Sequence, residues 1–276
     1  SVQAFTTARL AFDLTDAHRL TVNYKEVDSS KLNGANNSSR TMTFSSAEYQ
    51  KGEITETTGM LLVSNWSDDF ITEVSFSTKE QITSQMSPVG QALPFFQIND
   101  CGSQGIRCEL GPDVSRHAND LATETTFAKI KGTYYMGNHK LTFGYENKLW
   151  DIYNVYLEAQ DGAYEFEGIT NYQAQVASTF EYSNSRDLTQ LGAAAAFEYY
   201  LDSFYIQDEI DISEKLNVLV GVRYDEFDSD DSPALNQGFL DTYGFANGGI
   251  AGTNLLNYRL SFYYEIDEGS RLKGLF

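Results

Sequence analysis

Two cysteines, three histidines and a run of carboxylates are the residues of this 276-residue chain whose types and spacing suit chemistry. Cys101 and Cys108 enclose a small polar loop that contains Gly102, Ser103, Gln104, Gly105, Ile106 and Arg107. An even pair at this spacing reads as a disulfide in an oxidising compartment. Two free thiols or half a metal site are the alternatives, although no nearby Cys and His group completes a zinc set. His117 lies in a long polar segment with Asp113 and Asp120 near it, and a positioned His and carboxylate are what acid–base hydrolysis requires. Spacing within an irregular loop does not align such groups, so a local structural hydrogen bond is the simpler role for His117. Asp225, Glu226, Asp228, Asp230 and Asp231 offer the oxygen ligands that calcium takes. Their spacing lacks the EF-hand pattern and its central Gly, which makes a solvated acidic loop the simpler reading; Asp225, Asp228, Asp230 and Asp231 stand as weak calcium candidates. Gly248, Gly249 and Gly252 form a turning segment, and without a following helix they make no phosphate cradle.

The elements that must position these residues are strands. Five short polar turns fall at Thr15 to His18, Ser67 to Asp69, Met136 to His139, Ser213 to Lys215 and Asp267 to Ser270. Four long polar loops alternate with them, at about 27–55, 79–123, 149–192 and 229–254. Between turn and loop the residues alternate with the period of two expected of a half-buried strand. Leu10, Phe12 and Leu14 share one face and Arg9 and Asp13 the other; Leu20, Val22 and Tyr24 return on the apolar side. The third hairpin carries Ile130 and Tyr134, then Leu141, Phe143 and Tyr145. The fourth is the clearest, with Phe204, Ile206, Ile210 and Ile212 interrupted by Asp208, then Leu216, Val218, Val220, Val222 and Tyr224. In the second hairpin Leu61, Leu62 and Val63 run consecutively before Trp66, which suits an interfacial ring or ordinary packing. The last hairpin joins Leu260, Phe262, Tyr264 and Ile266 to Leu272, Gly274 and Phe276. Phe276 is similar to the terminal aromatic of outer-membrane barrel signals, or marks a truncated strand. Ala193 to Ala196 read as a strand edge or loop, and Gly162 to Phe180 as local β structure within a long loop.

Composition narrows the class. Tyr and Phe number 18 each against 4 Pro and 2 Trp, which suits strands and the aromatic girdles of a barrel. Mean hydropathy is −0.38, and no apolar run approaches the roughly 18 residues of a transmembrane helix. A net charge of −20 argues against a nucleic-acid partner, because phosphate binding needs clustered Lys and Arg. Ser1 to Thr7 shows no basic start or apolar core, so a mature or truncated chain is expected.

Alternation alone does not separate a sandwich core from a lipid-facing wall. Tight turns at one end and long loops at the other do, because transmembrane barrels carry short periplasmic turns and long extracellular loops. The expectation is an all-β, antiparallel transmembrane barrel of the outer-membrane type, with about ten strands in one segment, 1–276. Leu216, Val218, Val220 and Val222 would then meet outer-membrane lipid, and Glu209, Arg223 and Asp225 the lumen. His18 and His139 would lie at the periplasmic turns.

A succession of short motifs sharpens this. Leu110, Gly111, Pro112 and Asp113 are followed by Arg116, His117, Ala118 and Asn119, then by Gly137, Asn138 and His139 and the segment Leu141 to Glu146. Asp151 to Asn154, Tyr205 to Glu209, Gly221 to Asp225, and Gly252, Thr253, Asn254 and Leu255 continue it. In this order the segments resemble TonB-dependent outer-membrane receptors of the Oar-like type; before residue 110 the likeness rests on strand pattern. The resemblance implies a 22-stranded barrel in the outer membrane of a Gram-negative bacterium, closed by an N-terminal plug and powered by contact with TonB. It also implies a receptor and transporter that takes an unidentified extracellular ligand through its loops and lumen and needs no cofactor. No plug or TonB box precedes Ser1, so the expectation is an internal barrel piece. A closed ten-stranded barrel and a soluble β-sandwich adhesin are the alternatives. An omptin-like protease is disfavoured, since its Asp pairs and its Asp and His pair belong at the extracellular rim, and the chain is read as no enzyme.

Overall fold

The computed structural model describes residues 2–34, 37–90, 92–249 and 251–275; Ser1 and Phe276, with the readings attached to them, lie outside. The first strands are β1 (Val2–Thr15), β2 (His18–Asn33), β3 (Thr41–Thr43), β4 (Tyr49–Asn65) and β5 (Phe70–Met86). Next come β6 (Phe95–Asn99), β7 (Arg107–Leu110), β8 (Ala118–Met136), β9 (His139–Leu157), β10 (Ala163–Glu167) and β11 (Thr179–Glu181). The chain closes with β12 (Ala195–Ser213), β13 (Leu216–Asp228), β14 (Thr253–Asp267) and β15 (Ser270–Leu275).

Ten of these form one antiparallel sheet in the order β1-β2-β4-β5-β8-β9-β12-β13-β14-β15. Every neighbour pair is a hairpin or a loop-joined return, and the tight turns fall at the five short polar segments where the sequence predicts them. Among the described residues no pairing joins β1 to β15, so the sheet is open at both edges. It is therefore neither a closed ten-stranded barrel nor two sheets packed as a sandwich. At the opposite end the strands outrun the expected loop boundaries. Val27–Asn33 pairs with Tyr49–Thr55, which leaves 34–48 as the first connection. Lys79–Met86, Ala118–Thr123 and Leu149–Leu157 likewise belong to strands. Val27–Asn33, Lys79–Met86 and Ala118–Thr123 carry few apolar residues on either side, and Leu149–Leu157 mixes apolar and polar residues on both, which erases the alternation while backbone pairing continues.

One face of the sheet is apolar and uncovered. Phe204 is 53 % exposed and Tyr258 76 % exposed, and Ile130, Val74, Phe76 and Val220 are exposed beside them. Large apolar side chains in a contiguous, uncovered band mark a surface that a partner or a membrane covers. On β13 the stretch from Leu216 to Tyr224, apolar at every second residue, reaches the roughly 9–11 residues that a tilted transmembrane strand needs.

The ten-stranded sheet is the wall, and the long connections build a second sheet, the cap, ordered β11-β10-β6-β7-β3. Its strands come from three different loops, joined by parallel pairings of β3 with β7 and of β6 with β10. The small core here is Ile98, Cys108 and Phe166, with Phe96, Leu110, Tyr164 and Tyr172 packed around it. Two short helices, α1 (Gly168–Gln173) and α2 (Gln190–Ala193), lie in the third connection, and α3 (Gln237–Tyr243) lies in the fourth. Ala193 thus ends a helix while Ala195 and Ala196 open β12, and the local β structure expected within 162–180 is β10 with the start of β11, separated by α1.

Candidate functional site: the polar face of the wall and its cap

Because register is continuous, side chains of the second face line up across the strands. Asp13, Arg19, Val63, Glu73, Lys131, Gly144, Tyr205, Arg223 and Asn257 form one cross-strand row. One residue pair higher, Lys129, Glu146, Ser203 and Asp225 form the next. Arg223 is the hub of this region. Its Nη1 and Nη2 donate to Glu146 at 3.1 Å, its Nε donates to Asp225 at 2.8 Å, and the guanidinium stands over the Tyr205 ring. Asp225, with 9 % of its surface exposed, also accepts the Ser203 hydroxyl at 2.6 Å. Lys129 approaches Glu146 at 3.5 Å, Lys131 pairs with Glu73, and Lys140 with Glu209 at 3.2 Å. Gly144 makes room for Tyr205, since a Cβ there would meet the tyrosine hydroxyl at 2.5 Å. A cleft of about 560 Å³ opens over these groups and reaches Arg259 on β14. A groove of about 490 Å³ on the other face, between Ile130, Phe143, Phe204 and Leu256, is apolar and belongs to the uncovered surface.

Glu209, Arg223 and Asp225 therefore share the polar face, while Leu216, Val218, Val220 and Val222 lie on the apolar one. The four calcium candidates are not gathered: Asp225 is held by Arg223, whereas Asp231 accepts the Glu198 N–H at 2.8 Å. Among the described residues no group of three or more His, Cys, Asp and Glu is arranged to hold a metal. His117 is almost fully buried under the cap, and its Nδ1 accepts the Asp161 N–H at 3.2 Å. Burial pushes the His117 imidazole below its ordinary value, an effect that the nearby Asp161 and Asp113 only partly offset. Asp113 instead caps the 3₁₀ turn Val114–Arg116 through the Ser115 N–H. His18 and His139 sit at the tight-turn end, the first edge-on to Trp66 and the second paired with Asp208 at 2.7 Å. Cys101 and Cys108 are joined in a disulfide that ties the β6–β7 connection.

Residues 3–258 match the family described as "Outer membrane beta barrel domain". The chain belongs to that family. This outer-membrane barrel domain is thereby placed in the outer membrane of a Gram-negative bacterium, and the sandwich adhesin is overturned. Its fold is that of TonB-dependent receptor barrels. The outer membrane transporter YddB from Escherichia coli superposes with a TM-score of 0.62 at 12 % identity, over 96 % of this chain and 29 % of that one. The ferric-catecholate import receptor Fiu from E. coli K12 gives 0.57 at 15 % identity, over 96 % and 45 %. The iron transporter FrpB from Neisseria meningitidis gives 0.58 at 13 %, over 96 % and 35 %. The barrel domain spans less than half the length of each. A search of the curated proteins finds no similar sequence.

The Glu73–Lys131 and Glu146–Arg223 pairs escaped the sequence reading, as did the cap apart from the β structure expected within 162–180. Both bring together residues of different hairpins, and the alternation of one strand does not reveal its neighbours. Continuing the register across successive turns would have revealed the pairs.

Proposed function

We propose that this domain is part of the wall of a TonB-dependent transporter, with its polar face lining the lumen, its tight turns in the periplasm and its cap outside the cell. The observation that carries the reading is the division of one open sheet into an uncovered apolar face and an opposite face of ion pairs. In that setting lipid takes the first and a hydrated passage the second. The likeness to much longer receptor barrels supports a wall completed to 22 strands, with a plug that TonB displaces. The unidentified solute is captured at the cap and admitted along the lumen, and no catalytic step enters. Labelling tests the orientation. In the full-length protein, Gln207→Cys is expected to react with a membrane-impermeant maleimide, and Ile206→Cys to be shielded by lipid. The reverse pattern would reject the reading.

A further inference from the structure

The lower polar face is neutralised by its own ion pairs, and the upper part is not. Above the row of Lys129, Glu146, Ser203 and Asp225, the same face carries Lys25, Lys31, Lys51, Lys79 and Lys148. Lys25 and Lys79 share a cross-strand row, separated by Thr57 and continued through Thr125 to Trp150, which stacks on Tyr199 at 4.4 Å. Lys148 stands over Phe127, and Lys31 lies directly across from Lys51. Among the described residues none of the five forms an ion pair, and Glu53 is the only carboxylate on this part of the face. In a chain of 39 Asp and Glu against 19 Lys and Arg, that separation is unexpected. The carboxylates of the same level are on the other face: Glu26, Glu56, Glu80 and Glu124 point outward one residue along from the lysines. Like charges directly opposite, as at Lys31 and Lys51, destabilise a strand pair until a counter-charge arrives.

We propose that this upper face is a capture site for a soluble polyanion, a molecule with several phosphate or carboxylate groups. The proposal rests on the reading of the polar face as lumen. Among the described residues Lys79 donates only to Gln81 and Lys25 stands over the Phe5 ring, and ammonium groups left without a counter-charge on a lumen wall focus the field and raise the local concentration of an anion. Trp150 and Tyr199 offer a flat surface at the edge of the cationic row and a reporter for its occupation.

The test uses the full-length protein in zwitterionic detergent, free of anionic lipid, with Trp150 fluorescence as the signal and Trp150→Phe to assign it. Tripolyphosphate and citrate are the probes, against spermidine and maltotriose. Saturable binding of an anionic probe is expected, weakened about tenfold by Lys25→Gln, Lys51→Gln and Lys79→Gln together. Arg at the three positions should restore it, and rising ionic strength should weaken it. Equal or tighter binding of spermidine, or unchanged anion binding by the Gln variant, would overturn the proposal. So would the absence of anion binding in a protein whose Gln207→Cys variant labels from water, and there the wall reading survives. Shielded Gln207→Cys would instead remove the wall reading itself.

Discussion

Arg223 holds two carboxylates that are each far more covered than it is, with side chains 15 % and 13 % exposed against its own 34 %. Removing the cation leaves Glu146 and Asp225 with partial partners in a poorly hydrated site. Arg223→Gln is expected to lower stability by about 1–3 kcal/mol, less than for a fully buried pair because the guanidinium keeps water. Adding Glu146→Gln should recover part of the loss, measured as the urea midpoint of the full-length protein in micelles. His117 is the other residue whose environment makes a prediction. Its folded pKa lies below its unfolded value near 6.5, so the unfolded state binds the proton more readily. The cap's stability is then fully present above about pH 6.5 and declines as pH falls through that region. Asp161, raised by burial, works the other way, but only at the lower pH of carboxylates. The protection factor of the Asp161 amide, with the intrinsic pH dependence of exchange divided out, should fall between pH 7 and 5.5. His117→Asn, which keeps an acceptor for that amide, should flatten the response.

At the scale of elements, the disulfide and the carboxylate rows do different things. Cys101 and Cys108 close a short loop in the second connection, and a loop of that size constrains the unfolded chain by about 2–3 kcal/mol. Because the cap shares little core with the wall, Cys101→Ser with Cys108→Ser is expected to expose 87–117 to protease while heat-modifiable migration stays unchanged. Loss of that migration would show that cap and wall fold as one unit. The ten wall strands were legible in the sequence because the tight turns are short polar segments and apolar side chains recur every second residue on one face. Most of the cap was not. Thr41–Thr43 and Arg107–Leu110 are short, and their parallel partner lies in another loop, so neither length nor alternation marks them. Arg223 and Asp225 were legible as polar-face residues, yet their role as a hub depends on Glu146 two strands away. Cys101 and Cys108 were legible because the pairing is local.

For the whole molecule, the two open edges constrain more than any single contact. Backbone N–H and C=O groups exposed to hydrocarbon each cost several kcal/mol, which is why only closed barrels cross membranes as strands. β1 pairs thirteen residues with β2 along one side and, among the described residues, has no strand along the other, an open edge comparable in length to the interior strands. In the bilayer that edge must be paired, and the receptors of similar fold are more than twice as long as this chain. The β1 amides that do not bond to β2 are therefore expected to exchange with solvent as slowly as those of β4 when the full-length protein is studied in micelles. In residues 1–276 expressed alone, the same amides should exchange within minutes, or the domain should self-associate through its edges. Slow exchange in a monodisperse monomer of the isolated domain would mean that β1 and β15 close on each other. That outcome would replace the wide wall with a ten-stranded barrel, whose narrower bore would bring the cationic face of β2 and β5 against the ion pairs of β13.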